Sequence, residues 1–208
     1  MTTTAEISQR DRAVELLKER GAMRRIELSD AGVHPETLSR LVEEGILTRV
    51  SRGLYQLTDA DITAPHDLAE VAKLVPKGVI CLISALQFHE LTLQTPSRVW
   101  VAIGPKARKP KIEYPPTRIV RFGEQALSLG VQSHTIDGVL VPIFNPAKTV
   151  VDCFRFRKAV GFDVAIEGLH NVVKSGKAKP AEIVQYARDT RIWSVLRPYL
   201  ETVVADGA

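Results

Sequence analysis

Chemistry in a protein needs reactive side chains brought together, so the nucleophiles, bases and cations of this chain come first. Its 208 residues include five histidines, His34, His66, His89, His134 and His170, and two cysteines, Cys81 and Cys153. The histidines are scattered and neither cysteine has a CxxC partner, so the spacing offers no metal site and no cofactor. Ser84, His89 and Asp152 could be drawn together as a triad. No GxSxG elbow accompanies them, and serine and histidine on an apolar segment serve packing more often than catalysis. Asp137 and Asp152, with Lys148 nearby, are the raw material of a metal-dependent nuclease, which needs paired carboxylates and a cation near the scissile phosphate. Yet Asp137 belongs to an Asp-Gly turn, and no acidic-x-Lys tripeptide follows. GxxxxGK[ST] and GxGxxG phosphate loops are missing too. An enzyme is therefore not the leading reading.

Cations arranged for a polyanion are the stronger signal. In "GILTRVSRGLYQLT", residues 45–58, a glycine closes a helix and two short apolar strands flank a Ser51-Arg52-Gly53 turn. Arg49, Ser51 and Arg52 sit on this hairpin, where they suit phosphate or minor-groove contact, and Arg24 and Arg25 flank it. The helix just before it presents Thr37, Ser39 and Arg40. Arginine pairs bidentately with guanine, and threonine or serine bond bases or phosphates. Glu36 on the same face could accept from cytosine, whereas Glu43 and Glu44 oppose a phosphate backbone. Two further basic clusters are Lys106, Arg108, Lys109 and Lys111 in a Pro- and Lys-rich loop, and Arg155, Arg157 and Lys158. The first fits a phosphate or an acidic partner as readily as it fits a solvated loop, and the second fits partner contact as readily as salt bridging.

The elements that must position these groups follow from periodicity. A helix over about Ala5–Arg20, with Thr3 and Glu6 spaced as a capping box, buries Ile7, Val14 and Leu17 and stops at Gly21. A short helix over about Arg25–Ala31 ends at Gly32. Proline at the first helical position then opens a third, about Pro35–Glu44, whose inner face is Leu38, Leu41 and Val42. Helix, short helix, helix and hairpin is the order of a winged helix-turn-helix, expected over residues 1–60.

The joint "TDADITAPHD" separates this unit from residues 61–208. There we expect a helix over Asp67–Leu74, a buried helix within "VICLISALQFHELT", and strands at "RVWVAIG" and "RIVRFG". The pair "VQSHTI" and "VLVPIF" forms a hairpin across Asp137-Gly138. Asn145 caps a helix that starts at Pro146. Helices over about Asp163–Lys174, Pro180–Thr190 and Trp193–Val204 complete the chain. The fold class is thus α+β: a winged helix-turn-helix, then a mixed α/β domain with a helical C-terminal tail.

Composition bounds the rest. Hydrophobic residues make up 45% and charged residues 25%, a globular balance with ample core. No apolar run reaches the ~18–20 residues that cross a bilayer, and no secretory signal opens the chain. Two cysteines in apolar surroundings fit buried thiols in the cytoplasm. The net charge is +4, but residues 1–60 hold nine Lys and Arg against ten Asp and Glu. Bulk charge does not single out the first unit, and local placement must carry DNA binding.

Taken together, "GILTRVSRGLYQL", "ISALQFHELT", "RVWVAI" and "IFNPAKTVVDCFRFRK" occur in an order that resembles the AbiEi antitoxin family. The likeness spans roughly residues 7–204; its most specific pieces are Arg52–Tyr55 and Thr149–Arg155. The resemblance implies a non-enzymatic, two-domain protein. Its winged helix binds inverted repeats in double-stranded DNA at its own promoter, and residues 61–208 counteract a nucleotidyltransferase-like toxin, directly or functionally. Thr37, Ser39, Arg40, Arg49, Ser51 and Arg52 would then read and grip the operator. A protein-interaction module, in which the same unit docks a partner and never meets DNA, remains the alternative from the residues alone.

Overall fold

The structure, a computed structural model, describes residues 8–20, 23–51, 53–59 and 65–206. The amino-terminal segment runs α1 (Gln9–Arg20), β1 (Met23–Arg24), α2 (Arg25–Asp30), α3 (Pro35–Glu43), β2 (Leu47–Ser51) and β3 (Leu54–Leu57). Helix α1 starts later than expected because Ser8 caps it, its Oγ accepting from the Asp11 backbone N–H at 3.1 Å. The expected capping box Thr3–Glu6, the buried Ile7 and the Gly21 stop lie outside the described residues. Ala13 and Leu17 are buried and Val14 only half-buried. They meet Met23, Leu28, Val33, Leu38, Leu41, Leu47, Tyr55 and Leu57 in one small core.

Residues 23–24 were not expected to form a strand. They pair antiparallel with β3, so the hairpin becomes a three-stranded sheet of order β1-β3-β2. Two residues carry no readable alternation; the pairing is imposed by Met23 entering the core opposite Tyr55.

The remainder contains α4 (Pro65–Leu74), β4 (Val79–Ile80), α5 (Leu82–Phe88), β5 (Val99–Ile103), β6 (Thr117–Arg121), α6 (Glu124–Ser128), β7 (Val131–Ile136) and β8 (Val139–Phe144). A helical run closes it: α7 (Pro146–Arg155), α8 (Arg157–Val160), α9 (Phe162–Lys174), α10 (Pro180–Asp189) and α11 (Trp193–Asp206). The sheet is mixed, of order β6-β5-β4-β8-β7, with β4–β8 and β5–β6 parallel and the other pairs antiparallel. Every residue of β5 is buried, as a strand covered on both faces must be. Val99, Val101 and Ile103 face a core shared with Leu68 and Val71 of α4. Trp100 and Ala102 face the opposite core, filled from α5, α7, α9, α10 and α11.

Two expectations change here. The apolar segment 79–92 is not one helix: β-branched Val79 and Ile80 form the strand between β5 and β8, and the helix begins only at Leu82, where φ is +50°. Helix α4 begins at Pro65, so the end of the supposed joint is helical, with Asp67 buried. Asp137 and Gly138 do turn the β7–β8 hairpin, both at positive φ, 50° and 74°, the conformation a two-residue hairpin loop demands. Asn145 does cap α7, its Oδ1 accepting from the Lys148 N–H at 2.8 Å. Among the described residues no helix is long and apolar enough to cross a membrane.

Candidate nucleic-acid interface

Helix α3 is two-faced. Pro35 sits in its first turn, Leu38 and Leu41 are buried, and Gly45 at φ +72° lets the chain leave toward β2. The opposite face exposes Glu36, Ser39, Arg40 and Glu43. The Arg40 side chain is 63% exposed, its Nε 3.8 Å from Glu44 Oε1. Glu44 also accepts from Arg10 Nη1 at 2.9 Å, so this carboxylate is already answered by two guanidinium groups. Ser39 is exposed, donating weakly to the Pro35 carbonyl at 3.2 Å. Thr37 is different. It is half-buried and donates to Gln9 Oε1 at 3.0 Å, while the same oxygen accepts from the His34 N–H at 3.1 Å. Its hydroxyl is engaged in fastening α3 to α1.

Arg49 is exposed on β2, in register with Tyr55. The backbone of Ser51 pairs with Leu54 across a bulge, Gly53 stands at φ +76°, and Arg52 lies outside the described residues. Arg24 and Arg25 are exposed and join the same corner: Arg24 pairs with Leu54, and the Arg25 N–H donates to the Gly53 carbonyl at 2.7 Å. The end of β1 and the start of α2 thus bring Arg24 and Arg25 beside the hairpin turn, through a strand pairing that sequence spacing did not show.

Lys106, Arg108, Lys109 and Lys111 are exposed on the loop between β5 and β6. This loop is not loose at its base. Arg121 Nη1 donates to the carbonyls of Gly104, Pro105 and Ala107 at 3.1, 2.8 and 2.9 Å. At the loop's far end the Tyr114 hydroxyl donates to Gln56 Oε1 on β3 at 3.0 Å. A polar cleft of about 530 Å3 lies where the two parts of the molecule meet, with Arg20, Arg24, Lys73, Lys111 and Tyr114 in its walls. The other basic cluster is more structural. Arg157 Nη1 donates to the Phe154 carbonyl at 3.0 Å at the end of α7, and the exposed Arg155 guanidinium lies 5.8 Å from the Phe156 ring.

The residues weighed for catalysis are held in other roles. Ser84 Oγ accepts from the Trp100 N–H at 3.0 Å. His89 Nε2 donates to the Phe144 carbonyl at 2.7 Å, and burial depresses its pKa, keeping the ring neutral. Asp137 sits on the hairpin turn, 51% exposed, with His66 Nδ1 2.7 Å away. Asp152 is fully buried and paired with the equally buried Lys148. The triad and the Asp137–Asp152 nuclease site are therefore not formed: one carboxylate is at a surface turn and the other is sealed where no phosphate can reach. Among the described residues no three His, Cys, Asp or Glu side chains gather to hold a metal ion.

The Lys148–Asp152 pair is the feature that sequence reading missed. Lys148 Nζ lies 5.2 Å from the Phe122 ring centre and 4.4 Å from that of Phe144, a cation set against two rings that stack on each other with centroids 5.5 Å apart. Asp152 Oδ1 has no hydrogen-bond partner among the described residues. Burial pushes the Asp152 carboxyl up to about 6, against the pull of Lys148 and Arg155, and pulls the Lys148 ammonium down. Burial likewise raises the thiols of Cys81 and Cys153, with Asp152 adding to both. The i, i+4 spacing of Lys148 and Asp152 was visible, but nothing in it distinguishes a buried pair from an exposed one.

The crystal structure of the RV2827C protein from Mycobacterium tuberculosis shares this fold, with a TM-score of 0.51 and 15% identity over 98% of this chain and 81% of that one. No curated protein matches the chain. Residues 11–58, from within α1 to just past β3, match the family model described as "Transcriptional regulator, AbiEi antitoxin".

Proposed function

We propose that this protein is a DNA-binding autorepressor and antitoxin of an abortive-infection toxin–antitoxin pair, acting in the cytoplasm. In this reading residues 1–60 are a winged helix-turn-helix domain that binds inverted repeats in the chain's own promoter. Residues 61–208 are the antitoxin domain, which counteracts a nucleotidyltransferase-like toxin without an enzymatic step of its own. The observation that carries the reading is the outward face of α3 beside the arginine-bearing hairpin, within the stretch that matches the regulator family. Ser39 and Arg40 are then the base-reading residues, with Thr37 holding the helix in register. Arg49, Ser51 and Arg52 form the wing, and Arg24 and Arg25 contact the flanking phosphates. Lys106, Arg108, Lys109, Lys111, Arg155 and Arg157 are assigned to the partner or to phosphate.

Phosphate contacts and base contacts respond differently to mutation. In fluorescence anisotropy with a duplex from the upstream region of the gene, Arg40→Ala should reduce discrimination against mismatched duplexes by about 1–3 kcal/mol. Arg49→Ala and Arg25→Ala should weaken all duplexes alike and each lower the salt slope by about 0.9. Absence of binding at low salt, or binding indifferent to all three substitutions, would overturn the proposal.

A further inference from the structure

The five-stranded sheet has two edges, and they are built differently. At one end β6 carries Arg118 and Arg121. Charged residues on an edge strand are the usual protection against pairing with another chain. At the other end β7, Val131–Ile136, reads VQSHTI: six residues without a charge, a proline or a bulge. Its partner β8 adds no charge and no bulge, and its one proline, Pro142, stands opposite Ser133. The whole hairpin from Val131 to Phe144 holds a single charged residue, Asp137, at the turn.

The register says which backbone groups are left open. Pairing runs from Val131↔Phe144 to Ile136↔Val139, and one position further the Asn145 N–H donates to the Gly130 carbonyl at 2.7 Å. Bonded pairs alternate along an antiparallel ladder. Gln132, His134 and Ile136 therefore bond to β8, while Val131, Ser133 and Thr135 turn their N–H and C=O groups outward. Among the described residues no backbone bond from another segment reaches those six groups. The three side chains are exposed and share one face with Leu140, which is 68% exposed.

We infer that β7 is the pairing edge for a second copy of this chain. Two β7 strands join antiparallel about a two-fold axis at Ser133, making one ten-stranded sheet. The outward residues then match each other, Val131 with Thr135 of the second copy and Ser133 with its own equivalent. Each of the three pairs exchanges two backbone hydrogen bonds. A second copy brings identical charges to an interface, so self-pairing needs a neutral strand. That condition holds at β7 and fails at β6. The two Asp137 turns end up eight residues apart along the joined strands, about 27 Å at ~3.4 Å per residue, beyond the reach of their repulsion in physiological salt. The contact is small, so the dimer is weak and exchanging rather than permanent.

Sedimentation of the full chain from about 1 to 200 μM should show a monomer–dimer equilibrium with Kd in the micromolar range. Thr135→Lys and Ser133→Lys should each raise that Kd at least about tenfold and leave the circular dichroism and melting temperature unchanged, because both side chains are exposed. Thr117→Lys, on the opposite edge, should leave it alone. A spin label on Ser133→Cys, where Cys81 and Cys153 are too buried to react, should show strong dipolar broadening, since facing α-carbons in a bonded pair lie about 5.5 Å apart. A monomer throughout the range overturns the inference. So does a dimer indifferent to both lysines, an isolated label, or an edge that pairs only with a different protein.

Discussion

Removing Asp152 alone should be among the most damaging single substitutions in the larger part of the molecule. Asp152→Ala leaves the Lys148 ammonium fully buried against the Phe122 and Phe144 rings with no carboxylate, and orphaning one member of a buried pair costs about 3–5 kcal/mol. For a chain of this size that is a fall in Tm of about 6–20 °C. The intact pair is nevertheless a net cost. Asp152 is lifted from its ordinary 3.8 to about 6, and two pKa units at ~1.4 kcal/mol each give about 3 kcal/mol at neutral pH. The double variant Lys148→Met with Asp152→Leu should therefore be no less stable than the wild type, and up to about 3 kcal/mol more so.

The sign of the pH effect follows. Between about pH 4 and 6 the native chain holds a proton on Asp152 that the unfolded chain has released, so this group's contribution to stability falls as pH rises through that window. Urea unfolding followed by fluorescence suits the test, because both tryptophans, Trp100 and Trp193, belong to this part of the chain. At pH 4.5 and 7.5 the double variant should lack the wild type's slope. If Asp152→Ala costs under 1 kcal/mol, or the double variant loses as much as the single, the account of the pair is wrong.

Three further outcomes can be checked with the same material. Asn145→Ala should cost about 1 kcal/mol in urea unfolding through loss of the α7 cap, plus the bond its Nδ2 donates to the Tyr186 hydroxyl at 2.9 Å. Gly53→Ala, at φ +76° with open space around it, should lower the stability of the amino-terminal segment by about 1 kcal/mol through backbone strain rather than collision. Cys81 and Cys153 are free and buried, and burial raises both thiols; a thiol reagent should titrate neither in the native protein and both in denaturant.

Regular periodicity and end signals made most elements legible. Pro35 and Gly45 bracket α3, Asn145-Pro146 opens α7, and Asp137-Gly138 turns the hairpin, each through a local preference that needs no tertiary help. The two-residue strands β1 and β4 escaped because pairing across the sheet, rather than their own sequence, makes them strands. On the candidate surface, Ser39, Arg40 and Arg49 could be placed outward from helical and strand periods. The engagement of Thr37 with Gln9 could not, since it joins residues 28 apart. Nor could the clamp of Arg121 on the basic loop, for long side chains choose carbonyls that only the folded backbone brings near.

One hydrogen bond ties these observations to motion. The Tyr114 hydroxyl reaches Gln56 on β3 at 3.0 Å, and Tyr114 also closes the stretch that displays Lys106 to Lys111. Any swivel of the small helical head relative to the broad sheet must break this latch or drag the lysine-bearing stretch with it. Two surfaces far apart in sequence are thereby joined through the side chain of Tyr114, whose hydroxyl also lies 3.5 Å from Asp67 on α4.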